Sequence, residues 1–145
     1  MKKLLAVTIG FVLLTGAMAV GQDGDAAIKK DTELLKGKWK FESVKSAQGE
    51  KEDFAEATLE FFTDGKVQFT KGTEQKKATY KINPAGKPKE IDLKPVDKDD
   101  AMQGIYRIEK ETLTICICEG QNVARPTEFE AKDKNVLVTL KRVKE

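Results

Sequence analysis

The chain has 145 residues, with 26 Lys and Arg against 24 Asp and Glu, and it contains no histidine. Its net charge of +2 corresponds to Lys2 and Lys3, so the remainder is formally neutral, and the composition gives no electrostatic footprint for nucleic acid or anionic lipid. The missing histidine excludes histidine general bases, histidine metal ligands and Ser-His-Asp catalysis.

The first 19 residues predict a secretory signal peptide. Lys2 and Lys3 precede an apolar run over residues 4–14, and Ala17-Met18-Ala19 places small residues at positions −3 and −1 of a cut before Val20. A membrane anchor would need about 20 uninterrupted apolar residues, and this run is shorter. We therefore expect the mature protein to be exported, to the periplasm or outside the cell, without a membrane span.

Residues 20–30 are small, polar and charged, and we interpret them as a linker. Asp31-Thr32 is a suitable N-cap pair ahead of a short helical turn over residues 33–36, and Gly37 is a suitable C-cap. The folded domain is therefore expected to span residues 31–145.

After Gly37, apolar residues alternate with polar ones, which is the period of β-strands. The strongest hairpin signal is Asp64-Gly65, which lies between two alternating runs. The inward positions of the runs are Trp39 and Phe41; Leu59 and Phe61; Val67 and Phe69; Ala78, Tyr80 and Ile82; Ile91 and Leu93; Tyr106 and Ile108; Leu113, Ile115 and Ile117; and Val136, Val138 and Leu140.

These runs predict an all-β fold of about eight short strands. The connections are short enough for successive antiparallel hairpins, and eight strands close into a barrel whose interior side chains can fill or nearly fill. We therefore predict a single, mostly up-and-down, eight-stranded barrel with a short N-terminal helical turn. The lysines that alternate with the apolar residues suit its solvated outer face.

A series of short motifs resembles one protein family. Gly37-Lys38-Trp39, after the helical turn and at the start of the first strand, resembles the G-x-W signature of lipocalins. The series, which covers residues 31–142, looks like a family of small secreted lipocalin-like domains of unknown function that is expanded in planctomycetes. This resemblance implies a lipocalin-like barrel and no particular activity. The further motifs are Ile91-Asp92-Leu93, Gly104-Ile105-Tyr106-Arg107-Ile108, Leu113-Thr114-Ile115-Cys116, Arg125-Pro126-Thr127-Glu128-Phe129 and Leu140-Lys141-Arg142.

The resemblance also implies structural roles for a few residues. In lipocalins the tryptophan of the first strand lies at the closed end of the barrel, with an arginine from the end of the chain across its face. Trp39 and Arg142 match these positions, and a guanidinium over an indole contributes about 1 kcal/mol. Barrel closure is the favoured role and ligand contact the alternative. Arg125, followed by Pro126, lies in a predicted loop where it either binds an anion or caps carbonyls, and we favour capping.

Cys116 and Cys118 are the most reactive side chains of the predicted strands. Residues i and i+2 of a strand share a face, so both thiols are expected to lie together, half-buried, opposite Ile115 and Ile117. A disulfide between them would strain the strand, and a metal site would lack further cysteine or histidine ligands, so neither is predicted. A thiol-linked dimer stays open because the protein is expected to be exported.

No group of residues predicts catalysis. The run Asp97-Lys98-Asp99-Asp100 resembles the start of a calcium loop, but Met102 and Ile108 stand where that loop needs glycine and glutamate. Ser43 and Ser46 have no identifiable base beside them. We therefore predict no enzymatic activity and no cofactor.

The barrel leaves two classes of function. In the first, the lumen admits a small apolar ligand, and the hydroxyls of Tyr80 and Tyr106 serve as its polar contacts. In the second, bulky side chains fill the lumen, and the protein is a structural or protein-interaction domain of the cell envelope. The candidate lining residues are Leu59, Phe61, Phe69, Tyr80, Leu93, Tyr106 and Ile115.

Overall fold

The structure is a computed structural model that describes residues 26–52, 54–118 and 124–144. The expected signal peptide and the cut before Val20 lie outside the described residues. Within the described ranges, no helix has both the length and the apolar character needed to cross a membrane.

The helix, α1, covers residues 26–35 and ends just before the first strand. The expected N-cap at Asp31-Thr32 is therefore wrong, because both residues lie inside the helix, which already includes residues 26–30 of the segment interpreted as a linker. Asp favours helix N-caps in general, but the Asp31 side chain is buried in this protein. Its contact is with the barrel and not with the helix backbone.

Antiparallel strands make up most of the described chain. From β3 onward each strand pairs with the next, and β1 pairs with both β3 and β9, which closes a ring of eight strands; β2 is a two-residue extension paired with β1. The predicted eight-stranded antiparallel barrel is confirmed. The strands are β1 (Gly37–Ser46), β2 (Gly49–Glu50), β3 (Thr58–Phe61), β4 (Lys66–Lys71), β5 (Glu74–Asn83), β6 (Glu90–Pro95), β7 (Met102–Glu109), β8 (Thr112–Cys118) and β9 (Asn135–Arg142).

The two ends of the barrel differ. The closed end holds α1, the start of β1 and the β3–β4 hairpin, where the predicted Asp64-Gly65 turn forms with Gly65 at a φ of 83°. The open end holds the β1–β2 turn, residues 51–52 and 54–57 of the β2–β3 connection, and the β4–β5 turn.

The inward side chains pack into one apolar core, to which α1 adds Leu35. The largest fully buried side chains in this core are Trp39, Tyr106 and Phe61. The core therefore occupies much of the barrel interior and extends to the helix at the closed end.

Part of the outward face of β7 and β8 is also buried. Ile105 and Cys116 alternate with inward residues, yet they are 1% and 0% exposed. Residues 124–131, from the β8–β9 connection, pack on this part of the two strands, and we call them the cover segment. The Cys116 thiol donates to the carbonyl of Glu130 at 3.5 Å, and Arg125 donates to the carbonyl of Gly104 at 2.8 Å.

Candidate functional site

A pocket of 650 Å³ lies at the open end of the barrel. Its volume is within the range of about 300–1,000 Å³ that small-molecule sites have. The residues that line it come from the end of β2, the β2–β3 connection and the strands beside the β4–β5 turn: Glu50, Lys51, Glu52, Phe54, Phe69, Lys71, Glu74 and Lys76.

The strand period explains why β4 and β5 deliver these side chains. On β4, Val67 is buried in the core, so Phe69 and Lys71 point to the same side as the strand approaches the open end. On β5, Ala78 packs against the core, and Lys76 follows the same alternation two residues closer to the open end. The inward face thus changes from apolar to charged where the strands leave the core.

Three phenylalanines form the apolar part of this region. The ring centroids of Phe41 and Phe54 are 5.3 Å apart, and Phe69 meets both rings edge-on, at 5.7 Å and 6.0 Å. Such aromatic pairs contribute about 0.5–1.5 kcal/mol each beyond their burial. All three rings are only partly buried, and those of Phe54 and Phe69 line the pocket, so apolar surface faces the pocket.

Charges of both signs line the rest of the pocket. Its wall contains three glutamates and three lysines, and Lys76 pairs with Glu74 at 3.4 Å. Both side chains of this pair are more than half exposed, so the pair itself stabilises the fold by at most about 1 kcal/mol. Lys76 and Glu74 are therefore exposed enough to contact a ligand's polar atoms.

The structure brings one of the seven expected lining residues, Phe69, into the pocket wall. The charged wall residues were missed by sequence reasoning because Lys71, Glu74 and Lys76 look like solvent-facing residues of a strand end. The sequence feature that could have identified them is the strand alternation, which continues from Val67 through Phe69 to Lys71 in the pocket wall. The other six expected residues lie in the core or pack against it: Leu59, Phe61, Tyr80, Leu93, Tyr106 and Ile115.

The two tyrosine hydroxyls that were expected to contact a ligand are hydrogen-bonded within the protein. Tyr80 donates to the carbonyl of Phe62 at 2.7 Å, and Tyr106 donates to Asp31 Oδ2 at 2.6 Å. The Tyr106 bond joins the middle of β7 to α1. Both hydroxyls therefore have internal partners in this structure.

Asp31 is the polar centre of the closed end. Its Oδ2 accepts from Tyr106 and, at 2.9 Å, from Lys89 Nζ, while its side chain is 5% exposed. A buried carboxylate is costly unless it is paired and hydrogen-bonded. The two donors meet this requirement and attach the helix to the barrel.

Trp39 and Arg142 also meet at the closed end. The guanidinium carbon of Arg142 lies 4.2 Å from the Trp39 ring centroid. Arg142 donates to the carbonyls of Leu34 and Lys36 at 2.6 and 3.2 Å, and the Trp39 indole donates to Leu35 at 2.8 Å. The last carbonyls of a helix lack partners within it, so β1 and β9 supply those partners for α1.

Gly37 is required by the same arrangement. Its φ is 118°, a left-handed conformation that residues with a Cβ rarely adopt, and a Cβ there would lie 3.6 Å from Arg142 Nη1. The glycine of the G-x-W motif therefore allows the chain to turn from α1 into β1 beside the guanidinium.

Arg125 fixes the cover segment to the strands. Its guanidinium pairs with Asp92 at 2.9 Å and donates to the carbonyls of Gly104 and, at 3.4 Å, Ile91. The following Pro126 is buried. Arg125 thus caps carbonyls of β6 and β7, whereas the sequence pattern suggested carbonyls of its own loop.

The cover segment changes the environment of the two cysteines. The expected half-burial is wrong, because Cys116 and Cys118 are 0% and 2% exposed, and both are thiols rather than a disulfide. The Cys118 thiol donates to the carbonyl of Gln103 at 3.2 Å. A thiol-linked dimer would therefore need the cover segment to move.

In the described chain, no three cysteine, aspartate or glutamate side chains converge as metal ligands.

Several buried hydroxyl and thiol groups have raised pKa values. Burial raises the pKa of Tyr80, and the charge of Asp64 raises it further. Burial raises the pKa of Tyr106 as well, and its hydrogen bond to Asp31 adds to the effect. Burial also raises the pKa of the Cys116 thiol, against the opposing effect of its backbone hydrogen bond. These three groups stay protonated at neutral pH, which is not the state of a nucleophile or general base.

The pocket of the open end thus combines space with apolar surface, whereas the polar groups of the closed end and the Cys116 thiol bond within the protein. Binding of a small molecule is the chemistry that the pocket allows.

No protein-family model, curated protein or solved structure matches the chain.

Proposed function

We propose that this protein is an exported, non-enzymatic binding module that holds a small molecule in the pocket at the open end of the barrel. The observation that carries the proposal is the 650 Å³ pocket with the rings of Phe54 and Phe69 in its wall. The ligand has an apolar body that lies on these rings and a polar end that contacts the charged wall. The lipocalin-like resemblance of Gly37-Lys38-Trp39 agrees with such a role.

Burial of apolar surface drives this binding, at about 25 cal/mol per Å² removed from water. The loss of ligand freedom opposes it. Glutamates and lysines in the wall orient the polar end, but their exposure weakens each contact because water screens the charges. We therefore expect modest affinity, and specificity that depends mainly on the shape of the apolar body.

The raised pKa values support binding over catalysis. The hydroxyls of Tyr80 and Tyr106 and the thiol of Cys116 are protonated, and they donate to Phe62, Asp31 and Glu130. A raised pKa keeps each of these buried groups protonated, and the protonated form is the less reactive one at neutral pH. They serve the fold in this proposal.

The test is a titration of the mature protein with N-phenylnaphthylamine, an uncharged dye whose fluorescence rises in apolar surroundings. We expect saturable binding that Phe54→Ala weakens severalfold, because the substitution removes one of the two rings in the pocket wall. Phe62→Ala is the matched control, since Phe62 is 39% exposed and lies at the closed end. Absence of saturable binding, or equal loss in both variants, would count against the proposal.

The second candidate is a structural or protein-interaction domain with a filled barrel. It is favoured by the packing of Phe61, Tyr80 and Tyr106 in the core, where both tyrosine hydroxyls have internal partners. In that case the protein is folded, as judged by circular dichroism and a cooperative melting transition, but the dye does not saturate it.

A further inference from the structure

The outward face of β4, β5 and β6 gathers four lysines around Thr79. In the strand register, Lys66 is opposite Thr79 on one side and Lys94 is opposite it on the other. Lys77 and Lys81 are two residues before and after Thr79 on β5, so they share its face. All five residues are exposed. We call the four lysines the lysine face.

Strand geometry brings these lysines close together. Neighbouring strands lie about 4.8 Å apart, and residues i and i+2 of a strand are about 7 Å apart. The Cα atom of each lysine of the face therefore lies within roughly 7 Å of the Cα atom of Thr79. This distance is less than the Debye length of about 8 Å at physiological salt. Their electrostatic potentials add, although the chain as a whole is close to neutral.

The acids beside the lysine face compensate it only in part. Asp64 pairs with Lys66 at 3.7 Å. On β6, Asp92 is opposite Lys81, and Arg125 holds Asp92 at 2.9 Å and Glu90 at 3.7 Å. Glu60 lies on the neighbouring strand β3, opposite Gln68. Among the described residues, the other three lysines of the face form no ion pair. The remaining outward residues of β4 and β5 are uncharged: Gln68, Thr70, Gln75 and Asn83.

We propose that the lysine face binds a linear polysaccharide that carries sulfate or carboxylate groups. Lysine ammonium groups are point charges on flexible stems, so they contact closely spaced anions without demanding one geometry. The face presents polar threonine, glutamine and asparagine side chains around the lysines, and these are suited to sugar hydroxyls. An extended anionic chain lies flat on such a sheet surface.

Other anionic partners fit this face less well. The outward residues of β4, β5 and β6 include no aromatic ring for stacking on unpaired bases and no arginine for planar contacts with phosphate. They also include no large apolar side chain that could enter a lipid bilayer. The proposal does not depend on the pocket, to which β4 and β5 contribute inward rather than outward residues.

The experiment measures binding of the mature protein to dextran sulfate at low salt, with uncharged dextran as the control polymer. We expect the triple variant Lys77→Gln, Lys81→Gln, Lys94→Gln to weaken binding about tenfold, as the loss of three exposed ionic contacts predicts. Rising salt should weaken the wild type more steeply than this variant, because the wild type releases more counterions.

A second triple variant provides the matched control: Lys29→Gln, Lys110→Gln, Lys134→Gln. These exposed lysines lie on α1, in the β7–β8 turn and just before β9, away from β4, β5 and β6, and their replacement changes the net charge by the same amount. We expect this variant to bind dextran sulfate nearly as well as the wild type. Circular dichroism and unchanged dye binding in the pocket check that both variants are folded.

Three outcomes would overturn the proposal. The first is no binding of dextran sulfate at low salt. The second is an equal loss of binding in the two triple variants, which would mean that net charge alone decides. The third is tighter, lysine-face-dependent binding to a single-stranded oligonucleotide or to phosphatidylserine vesicles, which would assign the face to a different partner.

Discussion

Replacing Tyr106 with phenylalanine tests how α1 is attached to the barrel. The Tyr106 hydroxyl donates to Asp31 Oδ2 at 2.6 Å, and Lys89 donates to the same oxygen at 2.9 Å. Because the Asp31 side chain is almost fully buried, water does not readily replace a lost donor. Tyr106→Phe keeps the ring in the core and leaves this oxygen with Lys89 alone.

The expected cost follows from the charge of the acceptor. A hydrogen bond to a charged group contributes about 1.5–3 kcal/mol, and one between neutral groups about 0.5–1.5 kcal/mol. Tyr80→Phe is the matched control, since the Tyr80 hydroxyl donates to the neutral carbonyl of Phe62 at 2.7 Å. We therefore expect Tyr106→Phe to lower the free energy of unfolding by about 1 kcal/mol more than Tyr80→Phe does.

Urea denaturation at pH 7 measures both variants, provided that the slope with denaturant is unchanged. A double-mutant cycle with Asp31→Asn should give a coupling energy of about 1 kcal/mol or more between Tyr106 and Asp31. The reasoning is refuted if Tyr106→Phe is within about 0.5 kcal/mol of the wild type, the usual range of neutral surface changes. It is also refuted if Tyr80→Phe is the more destabilising variant.

The raised pKa of Tyr106 gives the same bond a pH signature. The folded protein keeps the phenolic proton at pH values where the unfolded chain, with an ordinary tyrosine pKa of about 10, loses it. The folded state then binds more protons, so the free energy of unfolding decreases as the pH rises above about 10. Between pH of about 10 and 11, the wild type should lose stability more steeply than Tyr106→Phe.

Three further predictions concern the closed end and the leader. Arg142→Ala should lower the free energy of unfolding by about 1–3 kcal/mol and change Trp39 fluorescence, because it removes the stacked cation and two carbonyl contacts; if neither quantity changes, the contact does not stabilise the fold. Gly37→Ala should destabilise by about 1–2 kcal/mol because of the φ of 118°, and a variant as stable as the wild type would contradict this. N-terminal sequencing of exported protein should start at Val20, whereas a start at Met1 would contradict the leader prediction.

The barrel could be predicted because its signal is local. Alternation such as that of Ala78, Tyr80 and Ile82 places every second residue on one face, and each of these residues does belong to the core or packs against it. The Asp64-Gly65 turn is equally local, since it needs only a glycine with positive φ between two such runs. Neither signal depends on distant residues.

The start of the helix was mispredicted because the role of Asp31 is not local. An aspartate ahead of a helical run resembles an N-cap when only its neighbours are considered. Its actual partner, Tyr106, is 75 residues away in the sequence. A buried contact over this distance overrides the capping preference, and only the folded barrel brings the two side chains together.

The candidate site was predicted only in part for a related reason. Apolar strand residues were assigned to a binding lumen, but most of them pack against one another, while Phe69 reaches the pocket. Alternation indicates which side of a strand faces inward, but it does not indicate how far the core extends along that side. Lys71 and Lys76 lie just beyond the core, and they line the pocket only because the core ends before it reaches them.

The cover segment combines two features that the sequence showed only separately. Strand alternation placed Cys116 and Cys118 outward, and Arg125 was assigned to a loop, but the packing of that loop on β7 and β8 depends on distant contacts. The ion pair of Arg125 with Asp92 and its bond to the carbonyl of Gly104 hold the segment in place. The thiols beneath it are therefore protected as long as these contacts persist.

Arg125→Ala should consequently expose the thiols without unfolding the barrel. We expect faster reaction of Cys116 and Cys118 with Ellman's reagent under native conditions, because local opening of the cover segment costs less free energy than global unfolding. Arg142→Ala is the control, since it removes an arginine at the closed end. If Arg125→Ala leaves thiol reactivity at the wild-type rate, the arginine does not hold the segment. If Arg142→Ala raises that rate as much, the thiols react through global unfolding, and local opening is excluded as the cause.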